Sequence, residues 1–318
     1  MMTISGFIFD IAHERKLFFY YQNPRKNKGE RRDRELSVLK SPEWVYKRLM
    51  EKTDQTVIVD VRFHLTKPDE GRKAYTKGHV PGAVFIDLKE DLSRNPEEHG
   101  GRHPLQDPDL LAAKLGKIGI DRQTDVVVYD DSGGMFAARF WWQLHYLGHD
   151  SVYIMDGGLS NWIKAGYEVN AEDPRPSERE FKPALRENEL LDAKEVLKRI
   201  GREGSILIDA RDPSRYTGET EPLDHRAGHI PGAKNFFWKG NLTEGGLWKS
   251  KEQLRQHYAA LDPGSEIVVY CGSGVSACPN VLGLKEAGFE NVKLYAGSWS
   301  DWISYPDHPI STGAEDDI

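Results

Sequence analysis

Apolar positions along this chain follow two rhythms. Short unbroken runs occur at VIVDVR (57–62), VVVYDDSGG (126–134), ILIDAR (206–211), EIVVY (266–270) and VKLYAG (292–297). Rich in β-branched residues and too brief for helices, they read as strands covered on both faces. Between them, LLDAKEVLKRI (190–200), KEQLRQHYAAL (251–261) and VLGLKEAG (281–288) place apolar residues at helical spacing. Gly288 closes the third of these helices, and a last one is expected to start in the Trp299–Trp302 region. Strands alternating with helices predict an α/β fold built on a mostly parallel sheet with helices on both faces.

The pattern is written twice. VIVDVR at 57–62 recurs as ILIDAR at 206–211, and GHVPGA at 78–83 as GHIPGA at 228–233. VVVYDDSGG at 126–134 recurs as IVVYCGSGV at 267–275, and DGGLSNW at 156–162 as AGSWSDW at 296–302. The offsets run 149, 150, 141 and 140. A period this long marks duplicated domains, since solenoid repeats run ~20–50 residues. The fall in offset places an insertion in the first copy, within the turn-rich stretch DLSRNPEEHGGRHPLQDPD (91–109). The expected organisation is an extension at 1–35 that is partly disordered, a domain at 36–170, a Pro-rich charged linker at 171–187 and a second domain at 188–318.

Composition narrows the function. The 318 residues are 38% hydrophobic and 29% charged, with a net charge of −7. A diffuse negative surface argues against nucleic acid or an anionic membrane as main partner. It leaves room for a small anionic substrate, which needs only local positive potential. No stretch reaches the ~18 apolar residues of a membrane span. The opening TISGFIFDI is interrupted by Asp10 and precedes its basic residues, the wrong order for a secretory signal. Two cysteines in all build no disulfide framework and no zinc site, so a reducing, cytoplasmic setting is expected.

Those two cysteines share one segment, YCGSGVSACPN at 270–280. Cys271 sits at a strand tip before Gly272 and Gly274. A strand–turn–helix arrangement there would aim backbone N–H groups and the positive helix end at the sulfur, stabilising a thiolate or a persulfide. The plain alternative is a small core residue. The glycine-rich context keeps a nucleophile open at Cys271, whereas Cys278 reads as core packing. Pro279 suits a first helical turn. In the first copy Asp130 stands where Cys271 stands, and a carboxylate is no thiolate nucleophile.

These features resemble the rhodanese-like sulfurtransferases in their tandem two-domain form. Tyr75-x-x-x-His79-Val80-Pro81-Gly82-Ala83 looks like one signature of the family and VKLYAGSWSDW like another, with Asp301 where Glu is usual. The loop CGSGVSAC is similar to that of the 3-mercaptopyruvate-using members. The resemblance spans about residues 36–312. It implies two tandem rhodanese-like domains, Cys271 as nucleophile, and Arg215 as substrate guanidinium. Arg215 has only Thr66 as counterpart in the first copy, and its alternative is an ion pair with Glu219 or Glu221. Arg226 is a second, weaker candidate. Gly272, Gly274, Val275 and Ser276 complete the substrate-binding loop. The resemblance further implies that Ser273 joins a His and an Asp of the first domain in a proton relay. His79 and Asp69 are the residues matched to those roles, with a structural His79 as the alternative because His229 occupies the same motif in the second copy. Arg211, with its counterpart Arg62, and the strand-end Asp60 and Asp209 read as structural, and the Trp residues as packing.

The expected reaction passes sulfane sulfur from 3-mercaptopyruvate through a Cys271 persulfide to a thiophilic acceptor: cyanide, a small thiol or a thioredoxin-like protein. No metal or organic cofactor is expected. Thiosulfate is the rival donor, and a non-enzymatic persulfide carrier is a more remote reading. A Cys-x5-Arg phosphatase would need Arg at 277, where the chain has Ala277.

Overall fold

In the computed structural model the described residues are 37–51 and 55–315, so the extension expected at 1–35 lies outside them. Two five-stranded sheets form, with every strand pair parallel. The first holds β1 (Leu39–Lys40), β2 (Thr56–Asp60), β3 (Val84–Phe85), β4 (Asp125–Tyr129) and β5 (Val152–Met155) in the order β1-β5-β4-β2-β3. The second holds β6 (Leu190–Leu191), β7 (Ser205–Asp209), β8 (Lys234–Asn235), β9 (Glu266–Tyr270) and β10 (Val292–Tyr295) in the order β6-β10-β9-β7-β8. Register repeats as well: β2 meets β4 from Thr56↔Asp125 to Asp60↔Tyr129, and β7 meets β9 from Ser205↔Glu266 to Asp209↔Tyr270.

Helices of the first half are α1 (Pro42–Met50), α2 (Asp69–Lys77), α3 (Pro108–Lys117), α4 (Met135–Tyr146) and α5 (Gly158–Lys164). The second half has α6 (Ala193–Leu197), α7 (Pro213–Thr217), α8 (Lys251–His257), α9 (Cys278–Ala287) and α10 (Ser298–Trp302). The strand pleat sends neighbours to opposite faces. Val126 and Val128 pack with α3 and α4, while Val127 and Tyr129 pack with α1 and α5. Likewise Ile267, Val269 and Cys271 share one face, and Val268 and Tyr270 the other.

One apolar cluster runs through both halves because α4 packs against α9. The nine residues Phe136–Leu144 of α4 are all buried, as expected of a helix with core on every side. Parity therefore aims Cys271 toward the first half.

Helix starts follow local chemistry. Cys278 opens α9 with Pro279 in the first turn, and Gly288 caps its far end at φ 102°. The run 190–200 is not one helix. Asp192 and Glu195 form a capping box that starts α6 at Ala193 and leaves Leu190–Leu191 extended as edge strand β6. Among the described residues no helix is long and apolar enough to cross a membrane, and no group of three His, Cys, Asp or Glu side chains is placed to hold a metal ion.

Candidate active site

The insertion located at 91–109 reaches the cysteine loop of the second half. In the first half, a loop closed by the Ser93↔Leu105 bridge carries Arg102 and His103. In the second half the matching bridge is Leu242↔Trp248, and the loop between is six residues shorter. The long loop reaches the second half and latches onto α10. There the Gly100 N–H donates to Asp301 Oδ1 (2.7 Å), the Arg102 N–H donates to Ser300 Oγ (3.1 Å), and His99 stacks on Tyr305. Asp301, the acid that departs from the usual Glu, also accepts from the Tyr295 hydroxyl at 2.7 Å.

The latch places His103 Nδ1 at 2.9 Å from Ser273 Oγ. It also sets Arg102 beside Gly272. A β-carbon built on Gly272 would lie 3.0 Å from Arg102 Nη2 and 3.4 Å from both terminal nitrogens of Arg215. Two guanidiniums thus stand over the residue that follows the cysteine. Arg215 Nη2 pairs with Glu221 (2.7 Å) and Asp224 (3.1 Å), and Arg102 pairs with Asp224. Glu221, not Glu219, is the partner. Arg226 is partly buried, its carbonyl accepting the Trp299 indole N–H at 2.9 Å. Burial pushes the Asp224 carboxyl up, against the pull of Arg102 and Arg215.

Cys271 itself is 1% exposed. Its N–H donates to Ser298 Oγ (3.0 Å), whose hydroxyl donates onward to the Tyr295 carbonyl (2.9 Å) and lies 4.0 Å from Cys271 Sγ. Ser298 has φ 58°, the left-handed region, where a non-glycine residue costs ~1–2 kcal/mol. Its counterpart is Gly158, at φ 61°. Gly274 has φ 75°, and a β-carbon there would lie 2.2 Å from the Ala296 carbonyl oxygen. Gly274→Ala is therefore expected to destabilise the protein by about 2–4 kcal/mol and to cripple turnover. Thermal melts and steady-state rates check this, and a fully active variant with an unchanged Tm would contradict it. Val275 packs in the shared core at 3% exposure, Cys278 is fully buried, and Ser276 is half-buried.

The first copy shows what this loop shape is built to hold. The Asp130 carboxylate accepts four backbone N–H groups: Ser132 (2.7 Å) and Gly134 (2.9 Å) on Oδ1, Phe136 (2.8 Å) and Ala137 (2.9 Å) on Oδ2. The matching amides in the second copy belong to Ser273, Val275, Ala277 and Cys278. A carboxylate oxygen is two bonds from its β-carbon, and so is the outer sulfur of a cysteine persulfide. Asp130 thus fills its own cradle with a carboxyl group, which burial pushes up against the pull of the four amides. Beside it the shorter loop leaves a cavity of about 630 Å³ between Asp131, Ser132, Trp238 and Leu242.

Two expectations need correction. His79 and Asp69 are not brought to Ser273. His79 is 1% exposed, its Nδ1 2.8 Å from the Tyr75 carbonyl and its Nε2 3.0 Å from the Glu172 carbonyl. It stacks on Tyr75 as His229 stacks on Tyr216, with ring centroids 3.9 Å apart in both. His229 likewise faces the Tyr216 carbonyl at 2.8 Å. Both histidines pin equivalent turns. Asp69 is exposed in the first turn of α2. The histidine at Ser273 is His103, and sequence reasoning passed over it together with Arg102, Arg139 and Ser298. The available signal was GGRHP inside an insertion confined to the half without a cysteine.

His103 is held neutral. Burial first, then the nearby charges of Arg139 and Arg102, depress its imidazole to about 4.

Comparisons with known proteins agree with this architecture. The model of the rhodanese-like domain matches twice, at residues 41–165 and 192–305. A probable 3-mercaptopyruvate sulfurtransferase of Pseudomonas aeruginosa is 46% identical over 81% of this chain and 92% of its own. The thiosulfate sulfurtransferase of Bos taurus is 34% identical over 77% of this chain and 84% of its own. Among solved structures, the 3-mercaptopyruvate sulfurtransferase from Leishmania major superposes with a TM-score of 0.72 at 29% identity, covering 83% of this chain and 73% of that one. With two matched domains, a duplicated parallel-sheet fold and a cysteine loop in the second copy, the chain belongs to the rhodanese-like sulfurtransferases.

Proposed function

We propose that the enzyme transfers sulfur from 3-mercaptopyruvate to a thiophilic acceptor through a Cys271 persulfide. The observation that carries the choice of donor is the Ser273–His103 hydrogen bond beside the cysteine loop. Attack of the Cys271 thiolate on the mercaptopyruvate sulfur forms an S–S bond and breaks the C–S bond. The bonding pair leaves on the three-carbon fragment as the enolate of pyruvate. The donor's S–H proton is then one place too early: it sits on the new persulfide, while the enolate carbon needs one. Ser273 and neutral His103 can take that proton and deliver it to carbon, which leaves persulfide anion and pyruvate. Thiosulfate needs no such transfer, because sulfite departs as an anion.

The remaining residues bind and orient. Arg215 and Arg102, poised over Gly272, receive the donor carboxylate, with Arg226 as the weaker candidate. Gly272, Gly274, Val275 and Ser276 shape the amide cradle in which the outer sulfur takes the place of the Asp130 oxygens. With Cys271 only 1% exposed, the 99–105 loop must lift for the donor to enter. Cyanide, a small thiol or a reduced thioredoxin-like protein then attacks the outer sulfur and regenerates the thiolate. A thiol that must stay reduced fits a cytoplasmic setting. Steady-state kcat/KM for the two donors tests the reading. Mercaptopyruvate is expected to exceed thiosulfate by at least about tenfold, and the reverse order would make thiosulfate the donor.

A further inference from the structure

Arg139 is a wholly buried cation, contributed by α4 of the half that has no cysteine. Its Nη1 donates to the carbonyl of Gly274 in the cysteine loop at 2.9 Å, and its Nη2 to the carbonyl of His103 at 2.9 Å. One planar fork thus ties the nucleophile's loop to the segment bearing the relay histidine. Its Nε–H is buried with no oxygen or nitrogen acceptor, and the Cys278 thiol lies beside the guanidinium. Among the described residues it makes no ion pair with a carboxylate, unlike Arg62, Arg102, Arg211 and Arg215.

An unpaired guanidinium in a core costs several kcal/mol, only part of which two carbonyl dipoles offset. Such a group persists where an anion forms beside it. Burial weakens its hold on its proton, and the groups that act the other way are two thiols, Cys278 and Cys271, with no carboxylate among them. Cys278 is itself pushed up to about 12 by burial, so it stays a neutral thiol. The Gly274 carbonyl it grips lies three residues after Cys271, so this uncompensated charge stands at the nucleophile's own loop. The position equivalent to Arg139 in the second half is Asn280, a neutral amide that donates to the Phe236 carbonyl at 2.6 Å. The charge asymmetry therefore follows the cysteine.

We propose that Arg139 is a positioning residue of the catalytic half, lent by the other half: the fixed counter-charge of the Cys271 thiolate and persulfide, and the clasp that holds Gly274 and His103 in register. The inference rests on Cys271 being the sulfur-accepting nucleophile. Its test reads the thiol directly, without any sulfur donor.

In a Cys278→Ser background, so that one thiol reports, the rate of alkylation by iodoacetamide is followed against pH for the parent, Arg139→Lys and Arg139→Met. The Met variant is expected to move the curve to higher pH by about one unit and to slow alkylation about tenfold on its rising limb. The Lys variant keeps the curve while losing thermal stability with the fork. A folded Met variant with the parent's curve would overturn the proposal. If Met does not fold, nitrogen-15 arginine labelling of the unaltered protein decides, with the Arg139 Nε–H resonance assigned through Arg139→Lys. Capping Cys271 with neutral carbamidomethyl is expected to shift that resonance, and an unmoved signal would overturn the proposal. Should Arg139 control alkylation in a protein that fails to transfer sulfur, the donor assignment would fall and the counter-charge would stand.

Discussion

Cys271→Ser is expected to fold and bind donor but to lose sulfur transfer by at least about a thousandfold with either mercaptopyruvate or thiosulfate. The serine hydroxyl nearly matches the thiol in size, so the buried site at the end of β9 loses little packing. What it lacks is an anion at neutral pH and an atom able to form a stable bond to sulfane sulfur. Cys278→Ser is the built-in comparison. Cys278 Sγ donates to the Gly274 carbonyl at 3.3 Å inside the first turn of α9, a contact a serine hydroxyl can reproduce. That variant is expected to keep most of its turnover. Steady-state rates with cyanide as acceptor separate the two, and equal losses in both would remove the distinction between nucleophile and core thiol.

The second large effect divides the donors from each other. Ser273→Ala and His103→Asn are expected to lower mercaptopyruvate kcat by about a hundredfold or more, since each removes one half of a proton relay. Thiosulfate turnover, which moves no proton to carbon, is expected to stay within about threefold. pH adds an independent check. With His103 depressed to about 4, the relay stays available as pH falls toward 5 and fails as the imidazole protonates near 4. Stability follows the same sign. The unfolded chain takes up a proton near the ordinary histidine value of 6.5, and the folded one only near 4. The contribution is whole above about 6.5 and shrinks as pH drops toward 4. His103→Asn is therefore expected to flatten the dependence of Tm on pH in that window. A similar loss with both donors would mean that the pair holds the loop in place without moving protons.

The parts of this molecule that repeat were the parts legible in the chain. Strands β2, β4, β7 and β9 announce themselves because each is buried on both faces and so carries an uninterrupted apolar run. The cysteine loop was readable for a similar reason, since its copy in the first half retains the same glycine-marked turn with Asp130 in place of the thiol. Short edge strands were not readable. Leu190–Leu191 looks helical in a window and is made extended by the capping box that follows it. His79 was matched through GHVPGA, a repeated motif, and in the structure His79 and His229 make the same stacking and carbonyl contacts. The histidine that meets Ser273 sits in the loop between Ser93 and Leu105, six residues longer than its counterpart in the second half. Arg139 was invisible for another reason. A charged residue within FAARFWWQL gives no sign of facing a neighbouring half until the α4–α9 packing brings it to the cysteine loop.

Treating the reduced protein with a slight excess of 3-mercaptopyruvate, without acceptor, and weighing it intact by mass spectrometry tests the central assignment most directly. The expected product is a gain of one sulfur atom per chain, mapped after capping and digestion to the peptide that contains Cys271, with pyruvate released in equal amount. An unchanged mass, or the added sulfur found on Cys278 instead, would contradict it.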